Sequence, residues 1–104
     1  MKAIDFTINY NKQIIGYITA KYSIGSGGHQ DNVISELNDF CNWSLKEIKK
    51  SENKKKVYIV LYDNFDNSNH HKLQNKYKNE NLIISNTINF NNDFLIWFNK
   101  NYKL

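Results

Sequence analysis

The chain has 104 residues, of which 40% are hydrophobic and 14% aromatic, and its net charge is +4. That length provides for one domain with one modest core, burying about two-thirds of the unfolded surface, and the composition excludes a chain too polar to fold. The single cysteine, Cys41, excludes an internal disulfide and suits a reducing cytoplasm.

The opening MKAIDFTINY has no long apolar run, so no signal peptide is expected. No segment is long and apolar enough to cross a membrane, and no membrane partner is expected. A pI of about 9.1 suits a polyanionic partner, although a Lys- and Asn-rich coding bias produces the same figure.

Ile4, Phe6, Ile8 and Tyr10 alternate with Asp5, Thr7 and Asn9, the pattern of a half-buried strand. Residues 11–13 are polar, and 14–21 are again rich in β-branched residues, which predicts a hairpin. Pairing Ile14, Ile18 and Ala20 with Tyr10, Phe6 and Ile4 gathers the apolar side chains on one face and leaves 11–13 as a three-residue loop. This register sets Asp5 opposite Thr19, with Lys21 further along the same face. A slip of one residue would invert the faces.

Residues 22–28 contain three glycines and read as a loop. Asp31 or Asn32 can cap a helix over 32–50, whose apolar stripe is Ile34, Leu37, Cys41, Leu45 and Ile48. Within that stripe Cys41 reads as a small buried apolar residue. After the lysines at 54–56, VYIVLY over 57–62 is continuously apolar, as in a strand covered on both faces. Residues 63–69 have turn chemistry, 70–79 read as a short helix, 82–85 as a strand and 91–102 as an aromatic helix. The order is β-β-α-β-α-β-α. An antiparallel hairpin followed by parallel crossover strands makes a mixed sheet flanked by helices, an α/β fold.

Hydrolysis of a phosphodiester needs an activated water and charge compensation at phosphorus, and a divalent metal supplies much of both. Magnesium takes oxygen ligands and usually only one or two protein carboxylates. A neighbouring lysine can orient the water and stabilise developing charge. Asp5 and Lys21 have that placement on the hairpin. Thr19 occupies the position of a second acid, and Glu36, early in the following helix, can reach back to supply one. The simpler role for Glu36 is a favourable partner of the helix dipole.

An Asp on one strand of a hairpin, then x-x-Lys at the end of the other, followed by α-β-α-β, resembles the PD-(D/E)XK nuclease superfamily. The segment IGYITAKYSIGSGGHQDNVISEL, followed by VYIVLYD and NLIISN, is similar more narrowly to type II restriction endonucleases. The resemblance covers most of the chain. It implies a restriction-endonuclease-like core and magnesium-dependent cleavage of double-stranded DNA, with manganese as a substitute. It makes Asp5 a metal ligand and Lys21 catalytic, and Ala20 the variable position whose carbonyl ligates the metal. Ile4 replaces the proline of the name. Thr19 stands where the family has an acid, and Glu36 is similar to carboxylates that some members carry on the next helix. The family's N-terminal helix is missing before Asp5, so an absent N-terminal segment carrying much of the target-recognition surface is expected, as is a homodimer that cuts both strands.

Gly27, Gly28, His29 and Gln30 can bring backbone amides to a DNA phosphate at a helix N-terminus, or simply form a tight turn. The competing expectation is an inactive nuclease-fold remnant that binds DNA, or a protein-interaction module docking through Trp97 and Phe98.

Overall fold

The computed structural model describes residues 4–24, 30–50, 55–65 and 67–102, without the side chains of 22–24, 30–33, 63–65 and 67–70. Strand β1 (Phe6–Tyr10) runs antiparallel to β2 (Gln13–Ile24). Helix α1 (Gln30–Lys50) leads to β3 (Val57–Phe65), α2 (Asn67–Lys76) to β4 (Leu82–Asn86), and α3 (Phe90–Tyr102) ends the order. The four strands form one sheet in the order β1-β2-β3-β4, with β2, β3 and β4 parallel. This is the mixed α/β arrangement expected from the sequence.

The hairpin differs from expectation in one respect. Its turn is two residues, Asn11 and Lys12, with φ of 51° and 64°. Positive φ at both central residues is what a tight type I′ hairpin requires. Tyr10 therefore faces Gln13 and Asn9 faces Ile14, rather than Ile14 facing Tyr10. The register then shifts: Ile8 faces Gly16, which leaves Ile15 as an extra residue in β2. Beyond this bulge the expected pairs appear, Thr7 with Tyr17 and Phe6 with Ile18. Ile15 is 3% exposed and Ile14 is 40% exposed. A side chain at Gly16 would lie 2.9 Å from Ile8 Cδ1 and 3.0 Å from Val57 Cγ1, so the strands close around a glycine.

Several boundaries also move. β1 begins at Phe6 rather than Ile4, and α1 begins at Gln30. β2 continues to Ile24 and β3 to Phe65, because Ser23 and Ile24 pair with Asn64 and Phe65. The residues expected to turn after Tyr62 therefore find backbone partners. α2 accordingly starts at Asn67 and ends at Lys76.

The sheet separates two cores. Tyr58, Val60, Tyr62, Leu82 and Ile84 meet Leu37, Phe40 and Cys41 of α1 and Leu73 of α2. Val57, Ile59, Ile15 and Ile18 meet Trp97 of α3, with Phe94 and Phe98 packed beside them. Consecutive residues of β3 thus serve opposite faces, which explains its unbroken apolar run. Both crossover helices lie on one face, as same-handed connections stepping across a sheet require. Among the described residues no helix is long and apolar enough to cross a membrane.

Cys41 is fully buried in the α1 core, and burial pushes its thiol from 9.0 up to about 12. The thiol of the unfolded chain ionises first, so stability is full below pH 9 and falls as pH rises from 9 toward 12. Native protein is expected to resist alkylation by iodoacetamide at pH 8 and to react at once in urea. Urea midpoints measured on either side of pH 9 should show the decline, and Cys41→Ala should remove the thiol's share of it.

Candidate functional site

Asp5 lies immediately before β1 and is held to β2 twice. Its amide donates to the Ile18 carbonyl at 2.8 Å. Its Oδ2 accepts from the Ala20 amide, also at 2.8 Å. The carboxylate thus serves an amide of β2 beyond the first residue of β1.

Lys21 is the next residue of β2. Its ammonium forms an ion pair with Glu36 Oε2 of α1. The position of Glu36 follows from the helix pattern. Leu37, Phe40, Cys41 and Ser44 form the buried stripe of α1, and Glu36 stands beside that stripe, where a side chain can reach the strand below. The Lys21 side chain is 20% exposed and that of Glu36 53%. Exposed pairs of this kind contribute about 0–1 kcal/mol, so the pair does little for overall stability. Its main consequence is to tie α1 to the far half of β2.

Asp5 and Glu36 therefore hold consecutive residues of one strand, the first through the Ala20 amide and the second through the Lys21 ammonium. Each bond uses one oxygen of its carboxylate. The corner carries two formal negative charges and one positive, an excess that a divalent cation would reverse.

Thr19 takes a different place from the one the hairpin pattern suggests. By strand alternation it shares its face with Tyr17 and Lys21. It is not at a solvent edge, however. It is 0% exposed, and among the described residues its Oγ1 has no hydrogen-bond partner. An ionised carboxylate in that position would be desolvated beneath α1, at a cost of several kcal/mol without a partner. The local packing thus accommodates threonine and disfavours an acid.

Among the described residues no three His, Cys, Asp or Glu side chains gather as a metal cluster. The corner offers two carboxylates and the carbonyl of Ala20. That set matches magnesium, which binds oxygen, takes one or two protein carboxylates and keeps several waters.

Gly27, Gly28 and His29 lie outside the described residues. Gln30 opens α1, and its side chain is not described. The proposed docking surface on α3 is corrected. Trp97 is 4% exposed and donates from Nε1 to Asn81 Oδ1 at 2.9 Å. Phe98 packs against Tyr10 and Tyr102 at centroid distances of 5.1 and 5.3 Å. The aromatic face of α3 is spent on the core, and its exposed apolar residues are Leu95 and Ile96 instead.

Compared with protein-family models, curated proteins and solved structures, the chain matches none.

Thr19→Val removes a buried hydroxyl without a partner while keeping the side chain's shape. It should stabilise the fold by about 1 kcal/mol, measured as a raised urea midpoint. Thr19→Asp should lower that midpoint. A valine variant less stable than the parent would show that the hydroxyl has a partner in solution.

Proposed function

We propose that the chain is a magnesium-dependent nuclease of the restriction-endonuclease-like kind, acting on double-stranded DNA, with Asp5, Lys21 and Glu36 as its working residues. One observation carries this reading: Glu36 reaches across from α1 to Lys21, immediately beside the residue whose amide holds Asp5. The acid absent from the hairpin at Thr19 has a substitute on the following helix.

The chemistry follows from the groups present. Asp5 and Glu36 would hold a magnesium or manganese ion through their second oxygens, with the Ala20 carbonyl beside them. When bound, the ion supplies a more acidic water and positive charge beside the phosphate. The Lys21 ammonium has three N–H donors, of which Glu36 takes one. The other two can orient the attacking water and donate to a phosphate oxygen as negative charge grows on it. Rigidity favours this role, since Lys21 pairs with Tyr62 of β3 and Asp5 is tied to β2 through the Ile18 carbonyl and the Ala20 amide. A second copy of the chain would supply the site for the opposite DNA strand.

The second reading, a non-catalytic DNA-binding or protein-interaction module with this fold, draws on the burial of Thr19, which leaves the hairpin with Asp5 as its one acid near Lys21.

Purified protein should nick or linearise supercoiled plasmid in magnesium or manganese. Lys21→Ala and Glu36→Gln should each slow cleavage by about a hundredfold or more. Asp5→Asn should do the same while retaining an oxygen to accept the Ala20 amide, which separates chemistry from folding. No cleavage in either metal overturns the enzyme reading in favour of the module. Cleavage that survives Lys21→Ala overturns the site.

A further inference from the structure

A second charged feature lies at the other end of β2. The hairpin turn, the start of β3 and the end of α3 enclose an open groove of about 750 Å³. It is lined by Lys12, Lys55 and Lys56 together with Ile15, Tyr17 and Tyr102. No carboxylate among the described residues lines it, so three positive charges share one concave surface. Neighbouring lysines elsewhere are neutralised, Lys100 by Glu80 at 2.7 Å and Lys50 by Glu47 at 3.4 Å.

No carboxylate among the described residues neutralises the groove lysines, and two of them are held in place. Lys55 donates to the Asn101 carbonyl at 2.8 Å. Lys56 rests 5.5 Å from the centre of the Tyr17 ring. A carbonyl and a ring face orient an ammonium without cancelling its charge, and each ammonium keeps further donors. The phenol of Tyr102 donates to the Lys55 carbonyl, which fixes the backbone that carries two of the three lysines. Like charges held together this way repel one another, and an anion that bridges them relieves the repulsion.

The aromatic rings give the class of anion. Tyr17 stacks on Tyr58 at 5.5 Å, and Tyr102 on Phe98 at 5.3 Å. Both rings are engaged by neighbours within the fold, so among the described residues of the groove neither is offered to a base for stacking. What the groove offers is spaced positive charge along an open channel, the complement of a phosphodiester backbone read without regard to sequence.

We propose that the groove bounded by Lys12, Lys55 and Lys56 binds the sugar-phosphate backbone of a nucleic acid. It is separate from the Asp5–Lys21–Glu36 corner. Lys12 in the turn and Lys21 in β2 are nine residue steps apart, roughly 30 Å along an extended chain, which is the length of about nine base pairs. The inference does not depend on catalysis and is tested in EDTA, where no cleavage occurs.

The measurement is fluorescence anisotropy of a labelled duplex of about 20 base pairs, titrated with the full chain at several salt concentrations. The triple variant K12Q/K55Q/K56Q should bind about tenfold or more weakly. Its plot of log affinity against log salt should be shallower by about 2 to 3. K12R/K55R/K56R should bind like the parent. Lys12→Gln alone lies in the exposed turn, and it should make the slope shallower by about 1, which keeps the test open should the triple variant fail to fold. Unchanged affinity and slope in Lys12→Gln and in a folded triple variant overturn the proposal. Displacement of the duplex by inorganic phosphate at similar concentration would mark a small-anion site, and displacement by polyglutamate as effective as by unlabelled duplex would mark an acidic protein partner. Either result overturns the nucleic-acid assignment.

Discussion

One extra residue in β2 decides how the two sides of this sheet are used. Side chains alternate along a strand, so without a bulge Ile15, Tyr17, Thr19 and Lys21 would all face one way. Ile15 and Ile18 instead share the core beneath α3, while Tyr17 packs with the core beneath α1. The change of parity occurs at the bulge beside Gly16. It allows both isoleucines to be buried together and turns Lys21 toward α1, where Glu36 meets it. The proposed corner therefore depends on a backbone irregularity earlier in the strand that carries Lys21.

The same strand separates two kinds of polar surface. At its far half, two carboxylates and one ammonium meet around Ala20 and Lys21, an arrangement with spare acceptor oxygens and spare donors. At its beginning, three ammonium groups share a groove that no described carboxylate lines. A net charge of +4 says little by itself. Its distribution says more, because a concentrated basic surface at one end of β2 and a mixed acidic corner at the other offer different ligands different faces of one rigid sheet.

Thr19 shows how packing limits chemistry. A hydroxyl buried without a partner is a modest cost, of the order of 1–3 kcal/mol, whereas a buried, unpaired carboxylate costs far more. With α1 closed over this part of β2, an acid beside Lys21 is better placed on the helix, at the margin of its apolar stripe, than on the strand. Glu36 occupies that margin and remains about half exposed, so it can change partners as Thr19 cannot.

Much of the fold was legible in the sequence. Period-two alternation marked β1, the unbroken run VYIVLY marked a strand covered on both faces, and the stripe through Leu37 and Cys41 marked α1 and its buried side. These are local patterns, each set by one element's own periodicity. The pairing of Phe6 with Ile18 also followed from them, whereas Glu36 was singled out by the need for a second acid, and its ion pair with Lys21 came with the structure. The two-residue turn, the bulge at Ile15 and the extension of β2 and β3 to Ile24 and Phe65 did not follow from local patterns, because each depends on a partner strand's backbone. The burial of Thr19 and of Trp97, and the gathering of Lys12 with Lys55 and Lys56, likewise came only with the tertiary structure. Residues distant in sequence share a surface only after the sheet has brought its strands into register, and no period within a single segment encodes that.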